Sequence, residues 1–272
     1  MFQARPQNPA LAAGLIGVAT AFIAGTTLFA KALGSDAFGP ALHPVQISHG
    51  RYVFAFIALA MVATIMRPKL GAPNWRLHIV RTSFGWAGVT LMFASVAFIP
   101  LADATAISFL NPVFGMMLAI PLLGERVGPI RWSAAIIALI GALVLLRPTP
   151  DSFQIAALLP LGAAICLGFE LIFIKKLTGR ENPFQVLLTN NFVGVVISTI
   201  AVLPFWITPT LAQWGILALI GMFMAVAQTC FVNAMARADA SFVAPFSYAT
   251  LIFATLYDLI FYDVFPDEIT WL

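Results

Sequence analysis

The groups most able to do chemistry in this sequence are ionisable side chains set inside long apolar stretches: Arg51, Glu170 and Asp258. If these stretches lie in a bilayer, each charge costs roughly 2.5–3.5 kcal/mol and needs a partner or an aqueous cavity. We predict that Arg51 and Asp258 pair or share a cavity, and that Glu170 lies at the depth of Arg81. Two roles stay open for Glu170: a carboxylate that binds protons or cations, or half of a static ion pair.

Uncharged polar side chains form a second set in the apolar stretches. As a group they are suited to line a solute cavity, although a single such residue more often forms an interhelical hydrogen bond. The set comprises Gln46, Asn111, Asn190, Asn191, Gln228, Asn233 and Tyr248. Trp86 could stack on an aromatic solute, and a lipid-facing indole is the alternative.

The sequence lacks the residue patterns that several kinds of functional site require. His43, His49 and His78 show no metal-ligand spacing, and Cys166 and Cys230 are isolated packing residues, so we predict no metal and no cofactor. The sequence contains neither a phosphate-binding Walker loop nor a GxSxG nucleophile motif. We therefore expect neither an ATP-driven pump nor any other enzyme. The basic residues are scattered, which gives no reason to expect a nucleic-acid partner.

Composition identifies the elements that must hold these groups. Hydrophobic residues make up 61% of the chain, charged residues 9%, and the mean hydropathy is +0.97. Soluble domains have about 25% charged residues, so most of this surface must face lipid, where helices satisfy their own backbone hydrogen bonds. We predict an all-α, polytopic helix bundle in the cell inner (plasma) membrane.

The apolar stretches are long enough for nine spanning helices of about 20 residues each. We place these helices at 10–33, 44–66, 76–99, 102–123, 129–147, 154–176, 184–206, 212–235 and 240–262. Most Lys and Arg residues then fall on the side of the N-terminus, so the positive-inside rule predicts a cytoplasmic N-terminus. The first stretch is too long for a signal peptide and is expected to be retained.

Short segments in the second half of the chain resemble segments in the first half, and they occur in the same order. HPVQISHGRYV at 43–53 matches NPFQVLLTNNF at 182–192, and LADATAISFLNP at 101–112 matches RADASFVAPFSY at 237–248. This internal symmetry predicts two repeats, 1–148 and 149–272, each of five helices. Because five is odd, the second repeat must be inverted relative to the first. Ten helices are expected and nine precede the end of the sequence, which we attribute to truncation, with a natural nine-helix protein as the alternative.

Residues 100–148 and the copy that begins at Ala236 resemble the drug/metabolite transporter superfamily, in its branch of paired EamA-type repeats. In the first copy a helix of small residues ends in Gly124-Glu125, a short loop follows, and Trp132 opens the next helix. The second copy departs from this pattern, with Tyr262-Asp263 in place of Gly-Glu. The resemblance implies a ten-helix inverted-repeat carrier that moves small organic solutes without ATP.

These observations predict a secondary transporter of small metabolites that works by alternating access. Efflux of amino acids or related solutes is the first expectation. Uptake of a nucleoside-like or cofactor-like solute, such as S-adenosylmethionine or a flavin, is the alternative. A non-transporting membrane sensor or subunit is the alternative of another class. Proton coupling is possible, and the protein is expected to be a monomer or a homodimer.

One predicted helix, 102–123, contains the helix-breaking pair Asn111-Pro112 and is followed by Glu125-Arg126. Proline leaves a carbonyl one turn earlier without its donor, which is tolerated where water, a solute or a neighbouring helix supplies one. We therefore interpret the break as part of a cavity. Glu125-Arg126 is interpreted as a charged helix end and possible hinge at the cytoplasmic surface, not as a site.

Overall fold

The computed structural model describes residues 6–34, 36–96, 98, 101–146 and 155–262, and the secondary structure in these ranges is helical. The α-helices are α1 Pro9–Leu33, α2 Pro44–Met66, α3 Trp75–Val96, α4 Leu101–Ser108, α5 Asn111–Leu123, α6 Pro129–Leu146, α7 Leu158–Thr178, α8 Pro183–Val202, α9 Leu211–Met235, α10 Ala240–Val243 and α11 Ala249–Tyr262. Short 3-10 turns lie at Asp36–Phe38, Ile155–Ala157, Leu203–Phe205 and Ala244–Tyr248. Residues 263–272, including Asp263, lie outside the described part.

The helices begin where the sequence supplies caps. Asn8 and Asn182 accept hydrogen bonds from backbone N–H groups in the first turns of α1 and α8. Thr210 and Gln213 form a reciprocal capping box at the start of α9. Proline follows the cap in α1, α2 and α8, where its missing N–H costs nothing.

The predicted membrane bundle is confirmed. In the described part, seven helical segments are long and apolar enough to span a bilayer. They correspond to all predicted spans except the third and the fifth. In the third, α3, arginine and histidine lower the hydropathy, and in the fifth, α6, the apolar window Pro129–Gly141 is short.

Two of the predicted spans are interrupted helices, at 102–123 near the break expected at Asn111-Pro112 and at 240–262 where no break was predicted. The span at 102–123 divides into α4 and α5, with Phe109 and Leu110 between them. The span at 240–262 divides into α10, a 3-10 turn and α11. The two interruptions meet: the Tyr248 hydroxyl donates to the Phe109 carbonyl at 2.5 Å, and their rings stack with centroids 5.6 Å apart. A neighbouring helix therefore satisfies a carbonyl close to Pro112.

Close helix packing depends on small residues. The backbone of α7 at Gly168 lies against α5, where an added Cβ would be 3.1 Å from the nitrogen of Gly115. A Cβ at Gly221 of α9 would be 2.4 Å from the Cβ of Phe54 on α2. Lipid gives little hydrophobic drive for helices to associate, so such close approach is a main source of packing energy.

Two glutamines tie the halves of the molecule together reciprocally. Gln46, in the first turn of α2, binds the backbone N–H and carbonyl of Ile207 in the connection between α8 and α9. Gln185, in the first turn of α8, accepts from the N–H of Gly71 in the connection between α2 and α3. Each glutamine thus reaches the equivalent connection of the other half, as expected for inverted repeats related by a two-fold axis.

Candidate solute site in the membrane interior

Helices α3 and α7 bring a charged pair into the bundle. The side chain of Arg81 is 2% exposed and that of Glu170 is 25% exposed. Arg81 Nε lies 3.8 Å from Glu170 Oε1, too far for a hydrogen bond, and it has no hydrogen-bond partner among the described residues. Arg81 Nη1 reaches the Val186 carbonyl only at 3.5 Å. Arg81 and Glu170 therefore form a loose ion pair that leaves hydrogen-bonding capacity on both partners.

A glycine on α3 determines where the Glu170 carboxylate can lie. Gly85 is one turn beyond Arg81, and a Cβ placed there would be within 2.9 Å of both carboxylate oxygens of Glu170. The carboxylate consequently rests against the α3 backbone. Sequence reasoning did not identify Gly85, although its i+4 spacing from the buried arginine was a usable signal.

Polar pairs from α3, α8 and α9 continue this interior. The Thr82 hydroxyl donates to the Asn190 side-chain oxygen at 3.0 Å. The Asn191 amide donates to the Gln228 side-chain oxygen at 2.8 Å, while its own side-chain oxygen is buried without a partner in the described structure. Three of the predicted amides therefore lie on the helices that carry the charged pair or pack beside them.

Arg51 approaches the same interior from α2. Its guanidinium lies 4.5 Å from the centroid of the Tyr52 ring. Tyr52 is buried against Gly194 of α8. Asp258 lies in α11, but its side chain is outside the described part, so the predicted Arg51–Asp258 pair stays a prediction.

Other predicted residues lie farther along the helices. Asn111 begins α5 next to the helix interruption and is half-buried, as is Trp86 on α3. Tyr248 bridges the two interruptions. Gln46, at the start of α2, uses its side-chain amide to bind the backbone of Ile207. Asn233 binds the Thr229 carbonyl and Arg237 near the end of α9.

The expectation for Glu125 is wrong in one important respect. Arg126 is exposed, as predicted. Glu125, however, accepts hydrogen bonds from the N–H groups of Ala240 and Ser241 and from the Ser241 hydroxyl. The carboxylate is therefore a contact between the two halves of the chain and not merely a charged helix end. Its partners are more than a hundred positions away, so no local pattern could reveal them.

Comparisons with known proteins agree with this architecture. The model of the EamA-like transporter family matches residues 11–147 and again residues 154–272. A crystal structure with 18% sequence identity superimposes with a TM-score of 0.79 and covers 97% of this chain and 91% of its own, which shows the shared fold.

Curated relatives are also similar over most of their length. An S-adenosylmethionine uptake transporter of Rickettsia bellii is 27% identical over 97% of this chain and 91% of its own. A riboflavin transporter of Rhizobium johnstonii is 34% identical over 82% of this chain and 74% of its own. A pseudopaline exporter of Pseudomonas aeruginosa is 25% identical over 76% and 73%, respectively.

The fold and its polar interior define a polytopic membrane protein built from inverted helical repeats, the architecture of secondary carriers. The chain belongs to the EamA-like transporter family.

Proposed function

We propose that the chain is a secondary carrier that takes up a cofactor-like solute bearing an α-amino-acid head group, as S-adenosylmethionine does. The two repeats, which we take as residues 1–148 and 149–272, rock about the interior site in alternating access. The observation that carries the proposal is the loose contact of Arg81 with Glu170. Similarity to an S-adenosylmethionine uptake transporter over nearly the whole chain supports it.

The charged pair suits a zwitterionic head group. The solute carboxylate would complete the hydrogen bonding of Arg81, and a solute cation would bind Glu170. We take Arg51 on α2 as a further positive charge available to the same head group. Water-poor surroundings strengthen such contacts, and a ligand that supplies both charges offsets the cost of keeping each charge in the membrane.

An aromatic cluster lies on the two helices that carry the charged pair, and we infer that it would suit a heteroaromatic base. Phe84 of α3 stacks on Phe169 and Phe173 of α7, with ring centroids 5.1 and 5.8 Å apart. These residues flank Gly85 and Glu170 in the sequence, and Trp86 follows on α3. Stacking on such a surface contributes about 0.5–1.5 kcal/mol per aromatic pair beyond burial.

Reconstitution tests the proposal directly. Proteoliposomes are supplied with labelled S-adenosylmethionine, riboflavin and a panel of amino acids, each with and without a pH gradient. We expect saturable flux of S-adenosylmethionine, and at least about tenfold less flux for Arg81→Gln or Glu170→Gln, since each variant loses a charged hydrogen bond. Arg126→Gln, an exposed arginine, is the matched control and should transport normally.

Two outcomes would contradict the proposed transport, and a third bears only on proton coupling. Flux of riboflavin alone, insensitive to both substitutions, would indicate an uncharged solute. Flux of no solute would favour the non-transporting alternative. Unaltered pH dependence in a transporting Glu170→Gln variant would remove Glu170 from proton coupling.

Efflux of an amino acid is the second candidate. The pseudopaline exporter among the relatives favours it, and the charged pair fits the head group of any amino acid. Loading the same panel inside the vesicles distinguishes the two directions, because efflux predicts faster exit of amino acids than of S-adenosylmethionine.

A further inference from the structure

Two glutamate side chains form reciprocal contacts between the predicted repeats on one face of the bundle. Glu125 follows α5 in the first repeat and binds the start of α10 in the second. Glu181 precedes α8 in the second repeat and binds the start of α3 in the first. Each carboxylate therefore holds a helix start that belongs to the other repeat.

Glu125 replaces the ordinary cap of α10. Asp239 is the N-cap residue of α10, but its side chain makes no capping hydrogen bond. Its carboxylate instead pairs with Arg131 at 2.8 Å. Glu125 accepts from the N–H groups of Ala240 at 2.8 Å and Ser241 at 3.0 Å. A carboxylate from the first repeat thus satisfies the exposed donors at this helix start.

The Ser241 hydroxyl extends this contact. It donates to Glu125 Oε2 at 2.6 Å and accepts from Arg131 Nη1 at 2.5 Å. Arg131 and Glu125 both lie in the first repeat, while Ser241 and Asp239 lie in the second. Separating the repeats here would break five hydrogen bonds, each with a charged donor or acceptor.

Glu181 makes the corresponding contact at α3. Its Oε1 accepts from the N–H of Asn74 at 2.7 Å, and Asn74 itself caps the first turn of α3. Its Oε2 lies 2.9 Å from His78 Nε2 and 2.9 Å from Gln185 Nε2. Glu181 is 7% exposed and His78 is fully buried. Separating the repeats would leave the carboxylate without two of its three donors.

Contacts between the repeats on the opposite face have a different chemistry. Gln46 binds the Ile207 backbone, and Thr210 and Gln213 donate to the carbonyls of Phe38 and Pro40 at 2.9 and 2.8 Å. These contacts are between uncharged groups. Hydrogen bonds to charged groups are roughly twice as strong, so the carboxylate contacts are expected to be stronger than these uncharged ones.

We propose that Glu125 and Glu181 act as a paired gate: each carboxylate holds a helix start of the opposite repeat, and the two contacts release together when the interior opens to this face. Both are positioning residues for transport and lie outside the solute site. The gate sets how often the carrier opens on this side, whichever solute it carries.

Hydrogen–deuterium exchange of the full chain in nanodiscs tests the gate without any solute. Glu125→Gln should raise exchange about tenfold in residues 238–243, since a charged hydrogen bond is lost. If the two contacts are coupled, exchange in residues 72–78 should rise as well, and Glu181→Gln should produce the reciprocal effect. Asp36→Asn is the matched control, because Asp36 accepts from the Ala41 N–H within one repeat.

Increased exchange confined to the residues next to each substitution would show two independent helix caps and overturn the gate. If Glu125→Gln raises exchange throughout the bundle, the gate is tested with a reversible cross-link instead of this variant. Glu125→Cys and Ser241→Cys, in a chain with Cys166 and Cys230 replaced by alanine, are joined by a short bis-methanethiosulfonate. We expect the linked carrier to lose flux and reduction to restore it, whereas full flux while linked would also overturn the gate.

Discussion

Arg81 occupies a position at which the second repeat carries leucine. Helix α3 begins at Trp75 and helix α9 begins at Leu211. The offset between these two starts equals the offset between Leu101 and Arg237, where the two matching sequence segments begin. Arg81 then corresponds to Leu217, which is 1% exposed and packs against Gly50. Because a leucine fits the equivalent place in this fold, packing alone does not require an arginine there, which supports the proposal that Arg81 binds the solute.

Replacing both members of the charged pair should separate function from stability. The double variant Arg81→Leu/Glu170→Met should melt at or above the wild-type temperature in detergent, since apolar replacement of buried ion pairs is often neutral or stabilising by about 1–4 kcal/mol. Its flux should fall at least about tenfold through loss of charged hydrogen bonds. A melting temperature lowered by many degrees would instead assign Arg81 a structural role.

At the scale of helices, two corresponding glycines meet different neighbours. Gly85 on α3 faces the flexible end of Glu170, whereas Gly221 on α9 faces the backbone and Cβ of α2 at Phe54 and Ala55. A carboxylate can move away from a new methyl group, but two helix backbones must separate to admit one. The same substitution therefore has different consequences in the two repeats.

Gly85→Ala should reduce transport with little change in melting temperature, because it displaces the Glu170 carboxylate. Gly221→Ala should destabilise the bundle by about 1–3 kcal/mol, as overpacking does. Thermal unfolding in detergent and flux in proteoliposomes measure the two effects. Gly215→Ala on α9 is the control, since no atom lies within 4 Å of the added Cβ. Equal destabilisation by the first two variants would contradict the distinction.

The helices themselves could be predicted from the sequence because length, apolar content and caps are local. Predicted α2 matches the observed Pro44–Met66, and Pro44 marks its first turn. The break before Pro112 was also visible in the sequence. The 3-10 turn at Ala244–Tyr248 was not predicted. Pro245 and the match of this segment to Asn111-Pro112 were the signals that could have indicated it. The roles of Glu125 and Glu181 depended on partners brought together only by the fold.

At the scale of the whole molecule, the face that carries the gate is defined by four connections and the N-terminal segment. The connections lie between α2 and α3, α5 and α6, α7 and α8, and α9 and α10. The N–H of Asn8 donates to the Arg237 carbonyl, which places the start of α1 on this face. These connections and the helix ends beside them carry most of the Lys and Arg residues, so the positive-inside rule predicts that the gate faces the cytoplasm.

Side-specific labelling measures this orientation. Cysteine introduced at exposed Lys69, between α2 and α3, should react with an impermeant maleimide only in inverted vesicles. Cysteine at exposed Thr208, between α8 and α9, should react in intact cells. Both variants need Cys166 and Cys230 replaced by alanine. With this result, opening of the gate releases an imported solute into the cytoplasm. The reverse labelling would make Glu125 and Glu181 an outer gate that controls solute entry.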